Sequence, residues 1–258
     1  MTAWAPGALR PQPGAAPLPR MLAAQTRAEL VLLLRNAEQV LLTLVIPLGL
    51  LVVLTKVSFI TVPGGGDRPG FFVPGVMALA VMSAAFTGQA IGVGFERQYG
   101  VLKRLGATPL PRSVLLVAKT LAVLAVEVVQ LSLIAGTGLL LGWHPHGSPL
   151  TVALLVALGT AAFSGLGLLL GGTLRGLTTL AVANLLWFVL LALGGVLFPL
   201  THLGPAAGVL RLLPTAALSD GLRQVLRDGA TLPVRDVLAL VGWAVAGLSA
   251  ASRLFRWE

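Results

Sequence analysis

Six of the few ionisable side chains in this protein are concentrated in one short stretch between Gly94 and Lys119. Only 10% of the 258 residues are charged. The six residues are Glu96, Arg97, Lys103, Arg104, Arg112 and Lys119. A stretch so dense in charge, in a chain that has so little of it, indicates a contact surface between two apolar segments.

The residues Glu96–Leu105 are compatible with a short amphipathic helix. Val101, Leu102 and Leu105 share one side of this helix, and the charges lie on the other. The Thr-Pro-Leu-Pro sequence around Pro109 then ends the helix and turns the chain back. Basic residues alone would anchor such a loop at a membrane surface. Docking onto a partner protein would use the carboxylate and the apolar ridge as well, so both interpretations stay open here.

A second polar group lies in the middle of a long apolar segment. Glu127 and Gln130 fall within one helical turn of each other. A carboxylate at membrane depth is costly and is a functional hypothesis by default. It could face a cleft and contact a cationic substrate, pair with Lys119, or bond to a neighbouring helix, for example at Asn184. Glu127, Gln130 and Asn184 are therefore the candidate cleft residues.

The sequence argues against metal, thiol and phosphate-loop chemistry. It contains no cysteine, which excludes disulfides and thiolate metal sites. His144 and His146 are spaced like a possible metal pair, but no acidic residue lies near them, so no metal site is predicted. Lys119 is the only lysine followed by Ser or Thr, and Ala118 precedes it where a nucleotide-binding loop needs glycine. We therefore expect no ATP hydrolysis by this chain.

Composition places the chain in lipid. It is 56% hydrophobic, with a mean hydropathy of +0.92 and a formal net charge of +9. An ordinary soluble domain is about 25% charged. The basic residues lie at the ends of apolar segments, which is typical of membrane topology and argues against nucleic acid as a partner.

The elements that must position these residues form an all-α integral membrane protein. Residues 1–19 are predicted as a disordered cytoplasmic tail, residues 20–39 as an amphipathic interface helix, and residues 40–258 as a domain of six spans. The six spans are predicted at about 40–60, 71–95, 113–142, 150–173, 177–200 and 234–254.

Orientation follows from the distribution of Lys and Arg. With the N-terminus inside, twelve of these residues fall on the inner side and six on the outer side. Both termini are therefore predicted to be cytoplasmic. The loop 201–233 is too apolar for a soluble domain and too broken by proline for one span. We expect short re-entrant helices there, with an external loop resting on the membrane as the alternative.

Two stretches resemble the type-2 ABC exporter permeases. The first is FERQYGVLKRLGATPLPRSVLLVAK, with the acidic residue, the G-x-L-K-R-L and the T-P-L turn of that family. The second is GGVLFPLTHLGPAAGVLRLLPTAALSDGLRQVL, at 194–226. The resemblance covers about residues 20–256. Its closest subgroup is that of drug and antibiotic export, similar to the daunorubicin-resistance permease.

The resemblance implies a role for the charged stretch. Glu96–Leu105 would be a coupling helix in a groove of a separate ATP-binding subunit, and the loop at Arg175 would be a smaller second contact. The residues implied in coupling are Glu96, Arg97, Tyr99, Gly100, Leu102, Lys103, Arg104, Leu105, Pro109 and Arg175.

The resemblance also implies partners, location and cargo. A homodimer of this chain would work with two ATP-binding subunits, which would hold the ATP and Mg, so this chain binds no cofactor of its own. The complex would lie in a bacterial plasma membrane and export a drug, antibiotic or other amphipathic compound. The alternatives are export of a lipid or lipid-linked glycan, and transport driven by an ion gradient.

Overall fold

The computed structural model describes residues 14–57, 67–196 and 207–255, and within them every regular element is a helix. Most of the predicted tail, the ends of the predicted first and fifth spans and the beginning of the loop 201–233 lie outside the described residues. The helices are α1 Leu18–Arg35, α2 Ala37–Lys56, α3 Arg68–Met82, α4 Gln89–Gln98, α5 Val101–Gly106, α6 Arg112–Leu140, α7 Pro149–Thr173, α8 Gly176–Leu193, α9 Ala207–Leu210, α10 Pro214–Leu226 and α11 Val234–Leu254.

Among the described residues, five helical segments are long and apolar enough to cross a membrane. They are Arg68–Gln98, Arg112–Leu140, Pro149–Thr173, Gly176–Leu193 and Val234–Leu254. They correspond to five of the six predicted spans. The remaining predicted span coincides with α2, whose described apolar part, Thr43–Lys56, is shorter.

The helices alternate between two ends of one bundle. At the end that carries α5, which we call the basic end, Arg112 donates to the Phe255 carbonyl at 3.3 Å. At the opposite end, which we call the far end, the Arg68 guanidinium donates to the Leu54 carbonyl at 2.6 Å. The far end also carries α10, since the His146 N–H donates to the last carbonyl of that helix at 2.9 Å.

The centre of the bundle is α3. Every residue from Gly70 to Met82 is buried, which suits a helix that is apolar on all sides. A π-helical turn, Ser83–Gly88, joins α3 to α4 without ending the long span. Such turns are rare and occur frequently at functional sites.

Small residues let the helices approach closely. A Cβ atom on Gly165 of α7 would lie 2.6 Å from the Leu248 nitrogen of α11, and one on Gly167 would lie 2.7 Å from the Phe86 carbonyl oxygen. These positions therefore have room only for glycine. Gly92 behaves differently, because a Cβ there would meet open space.

Two predicted boundaries are corrected. The interface helix ends at Arg35 instead of residue 39, because the backbone leaves helical geometry at Asn36 before α2 begins. The predicted helix Glu96–Leu105 is two helices, because Gly100 adopts a positive φ of 72°. That left-handed geometry ends one helix and favours glycine. Glu96 therefore belongs to the last turn of the long span and not to the short helix.

The loop 201–233 contains the two short helices α9 and α10 in its described part. Nearly all of α10 is buried against the bundle, and it packs on α3, α7 and α11. Trp243 of α11 donates its indole N–H to the Leu212 carbonyl at 2.7 Å and so secures the segment between the two short helices.

Candidate functional site: the coupling surface and the buried polar groups

The short helix α5 lies against the base of the bundle through Leu102 and, less deeply, Leu105. Leu102 is fully buried and packs in a cluster that includes Val93 of α4, Leu115 of α6 and Phe255. Its burial corrects the expectation of an exposed apolar ridge. Leu102 holds α5 in place and is not available on the outer surface.

The outward side of α5 is basic and partly aromatic. Lys103 and Arg104 are exposed, Val101 is 39% exposed, and Tyr99 is 67% exposed. The Tyr99 ring stacks on Phe95 with 6.0 Å between the ring centroids. The surface therefore offers two cations beside an aromatic ring, a combination suited to protein contacts.

The turn that follows α5 confirms the predicted stop. The Thr108 hydroxyl donates to the Leu105 carbonyl at 2.6 Å and satisfies one of the free carbonyls at the helix end. Pro109 is exposed, and Pro111 directly precedes the first residue of α6. Proline fixes φ and cannot continue a helix, so the chain turns back into the bundle here.

A buried ion network joins three helices beside this surface. The Lys119 ammonium of α6 lies 2.8 Å from a carboxylate oxygen of Glu29 in α1 and 2.8 Å from one of Glu96 in α4. We call these residues the Lys119 triad. The Gln25 amide donates to the second oxygen of Glu29 at 2.7 Å. Lys119 therefore does not pair with Glu127, which was one of the predicted alternatives.

The Lys119 triad contains a residue that sequence reasoning missed. Glu29 lies within the predicted interface helix but was not among the candidate site residues, and it is buried against the bundle. The outward side of α1 instead carries exposed apolar residues, including Leu32 and Leu34. In α1 the acidic residue faces the protein and these leucines face outward, and that inversion is the signal that could have found it.

The predicted second contact lies beside the first. Arg97 donates to the carbonyls of Gly172 and Leu174, both at 3.4 Å, at the C-terminal end of α7. A cation at the C-terminal end of a helix is favourable. The exposed Arg175 follows directly and precedes α8. The structure thus brings Arg175 to the same end of the bundle as α5.

The three candidate cleft residues are not brought together. Glu127 is fully buried and accepts a short hydrogen bond from the Thr160 hydroxyl of α7. Gln130 is also buried and donates to the Thr43 carbonyl of α2 at 2.5 Å. Asn184 is exposed on the outer side of α8. Glu127 therefore bonds to a neighbouring helix, as one alternative held, but its partner is Thr160 and not Asn184.

At the far end, Arg223 of α10 holds three segments together. Its guanidinium donates to the carbonyls of Gly195 and Val196 at 2.7 Å each and to that of Phe71 at 3.2 Å. It also lies 4.1 Å from the centre of the Phe71 ring. Burial lowers the pKa of Arg223 to about 10, so the group stays charged at neutral pH. Arg223 lies in the second stretch that resembles the family, 194–226, but no pattern indicated its partners.

Comparison with known proteins identifies a family and a relative. Residues 21–226 match the sequence pattern described as ABC-2 type transporter. The chain is also 24% identical over 233 residues to a Bacillus subtilis (strain 168) protein named "Putative transport permease YvfS", with 86% of this chain and 92% of that protein covered.

The family match spans α1 to α10 and includes both the predicted coupling helix α5 and the Arg223 contacts. The family consists of membrane-embedded permease subunits that work with an ATP-binding subunit. The set of apolar helices agrees with a membrane protein of that kind. This chain belongs to the ABC-2 type transporter family.

Proposed function

We propose that the chain is the permease subunit of an ATP-driven exporter of a drug, antibiotic or other amphipathic small molecule. ATP and Mg would be bound and ATP hydrolysed on a separate subunit. The observation that carries this proposal is the coupling surface, a basic helix held on the base of the bundle and joined to the spans by a buried ion network.

The predicted coupling residues divide into two groups. Tyr99, Lys103, Arg104, Pro109 and Arg175 are exposed and would contact the ATP-binding subunit. Glu96, Arg97, Gly100, Leu102 and Leu105 would position them, because each is at least partly enclosed by this chain.

Force applied to α5 would reach the membrane helices through rigid contacts. Leu102 is packed in the buried cluster, so α5 has no free space to move into. The Lys119 triad ties the end of α4 to α1 and α6. A push on α5 would therefore move these helices together as a rigid body, as packed elements do in many domain motions.

Six crossings of a bacterial plasma membrane account for the topology. The N-terminal helix α1 and the last described residue, Phe255, both lie at the basic end. The end of α2 lies at the far end, where Arg68 binds its carbonyls. Helix α2 would then cross the bilayer, and the excess of basic residues makes the basic end cytoplasmic. Helices α9 and α10 would re-enter the opposite leaflet, where α10 is covered by protein as re-entry requires.

A second copy of this chain would complete the transport unit, together with two ATP-binding subunits. Only 17% of the most apolar 18-residue stretch of α8 is buried inside the protein. The corresponding figure for the span Arg68–Gln98 is 83%. Asn184 lies at its middle and is exposed. An amide facing lipid costs free energy, and hydrogen bonding across helices removes that cost. We therefore place the contact between copies at α8.

Two alternatives, one in the substrate and one in the driving force, predict different results in transport assays. Export of a lipid or lipid-linked glycan would use the same subunits, so only transport assays with defined compounds separate it from drug export. Transport driven by an ion gradient would need an accessible titratable group in the spans. Glu127, the candidate for that role, is enclosed and bonded to Thr160. Transport that needs ATP and survives dissipation of the proton gradient would exclude the gradient mechanism.

The direct test is co-purification with a candidate ATP-binding subunit. The double variant Lys103→Glu/Arg104→Glu should lose the complex and the stimulated ATP hydrolysis, because both cations lie on the exposed side of α5. The matched control, Arg211→Glu/Arg235→Glu, reverses two charges at the far end and should keep both. If the α5 variant binds and hydrolyses like the wild type, α5 is not the coupling element.

A further inference from the structure

A narrow crevice runs between α1, α4 and α6, behind the outward side of α5. It begins at the Lys119 triad and continues past Gln89 and Gly92 to an apolar end formed by Leu33, Val123 and Val126. The polar part has a volume of about 50 Å³ and the apolar part about 40 Å³. Each exceeds the roughly 10–15 Å³ that one water needs, yet both are too narrow for a bulky polycyclic molecule.

Gln89 is a buried amide without a partner in this crevice. The residue is 7% exposed, and neither its Oε1 nor its Nε2 has a hydrogen-bond partner among the described residues. The Oε2 atom of Glu96, at the polar end, is also buried and without a partner there. Buried polar groups in folded proteins are nearly always bonded, so orphaned groups beside a cavity indicate a molecule that is absent.

The backbone keeps the crevice open. Gly92 follows Gln89 on the same helix, and a Cβ at Gly92 would meet no atom within 4 Å. Gly171 differs, since a Cβ there would lie 2.6 Å from the Ala90 carbonyl oxygen. Gly92 is therefore not required for helix packing. The π-helical turn directly before Gln89 adds a second feature that is common at functional sites.

The charges of the crevice select its ligand. The Lys119 triad contains two carboxylates and one ammonium, so it carries a net charge of −1 when all three groups are ionised. The Gln89 side-chain oxygen and the free Glu96 oxygen both accept hydrogen bonds, whereas the Gln89 NH2 group donates and would bond to water in the remaining volume. An ammonium group satisfies both acceptors and neutralises the excess charge, and the apolar end suits a hydrocarbon chain.

We propose that this crevice binds a cationic amphiphile, with a primary ammonium at Gln89 and Glu96 and an alkyl chain along Leu33, Val123 and Val126. The crevice would be the loading site of the exporter on its basic end. The role of the crevice in transport rests on the proposed function, but binding itself does not require the ATP-binding subunit.

Photolabelling of the full chain in lipid nanodiscs tests the proposal. The probe is dodecylamine with a diazirine in the middle of the chain, and labelled residues are mapped by mass spectrometry. We expect labelling around Val123–Val126, reduced at least tenfold when the probe is N-acetylated, because acetylation removes the positive charge. Equal labelling by the charged and the neutral probe would overturn the proposal.

Three variants and one matched control define the site. Gly92→Leu fills the crevice and Gln89→Leu removes the amide, so each should reduce labelling at least tenfold. Gln89→Glu keeps an acceptor and should retain labelling. Gly242→Leu is the control, since Gly242 is also a helical glycine facing open space, on α11. Labelling that is the same in all four variants would show that the probe only partitions into lipid.

A stability measurement accompanies the labelling. Gln89→Leu removes an unpaired buried amide, so it should raise the Tm in the absence of probe while it weakens binding. A lower Tm would show that the amide has a structural partner and would contradict the proposal. Failure of labelling together with intact co-purification of the ATP-binding subunit would reject this site and leave the proposed function standing.

Discussion

Lys119 is 5% exposed and lies 2.8 Å from a carboxylate oxygen on each of two other helices. Burial of a charge is costly, and partners offset the cost only when the geometry is good. Here the two carboxylates come from α1 and α4, which have no other charged contact with each other among the described residues. Without the ammonium, no charged contact among the described residues would hold α1 and α4 together.

The first prediction concerns this ammonium. Lys119→Met should lower the free energy of unfolding by about 3–5 kcal/mol, because it leaves two buried carboxylates without their cation. The triple variant Glu29→Gln/Glu96→Gln/Lys119→Met should recover most of the loss, since no unpaired charge remains. Thermal unfolding in detergent measures both, with Lys56→Met at an exposed position as the control. A Lys119→Met protein as stable as wild type would contradict the ion network.

At the scale of elements, Gly100 separates the long span from α5. Its φ of 72° is a conformation that costs another residue about 1–2 kcal/mol. The second prediction is that Gly100→Ala reduces stimulated ATP hydrolysis by up to roughly tenfold, since 1.4 kcal/mol corresponds to a factor of ten. The permease should still insert and fold, because the strain is confined to one turn.

Gly106→Ala is the matched control for that turn. Gly106 also belongs to α5, but it is not among the described residues with positive φ. The substitution should therefore leave hydrolysis near the wild-type rate. If Gly100→Ala and Gly106→Ala behave alike, the geometry of the turn does not matter for coupling.

The element scale also shows what the sequence could predict. Five predicted spans correspond to helices because about 20 apolar residues are needed to cross the bilayer, and hydropathy reports that directly. The stop around Pro109 followed from proline chemistry. The division at Gly100 was missed because helical periodicity runs across it, although a glycine after a helix end is a recognised signal.

The contacts between distant segments could not be predicted in this way. Glu29 and Lys119 are ninety residues apart, and Arg223 binds the Phe71 carbonyl across a still longer separation. A single sequence contains the charges but not their pairing, so Lys119 had several possible partners. Glu127 had the same ambiguity, and its partner Thr160 is an uncharged residue that no charge pattern could indicate.

At the scale of the whole molecule, a single copy leaves α8 poorly covered. Phe188 and Leu185 are both 63% exposed on this helix, as expected for contact with lipid or with another helix. Asn184 beside them distinguishes the two, because lipid cannot satisfy its amide whereas a second copy can. The poor coverage of α8 and its exposed central amide therefore both favour the proposed dimer.

The third prediction tests that contact by cross-linking. The chain contains no cysteine, so Asn184→Cys introduces a single thiol without any background. Mild oxidation in membranes should give a covalent dimer, because the proposed contact at α8 would bring residue 184 of one copy near residue 184 of the other. A disulfide requires Cα atoms within about 7 Å. Val245→Cys is the control, since Val245 is 62% exposed on α11, a helix that packs mainly on α7. Cross-linking through Val245 but not through residue 184 would move the contact to α11, and Asn184 would then need a partner other than a second copy.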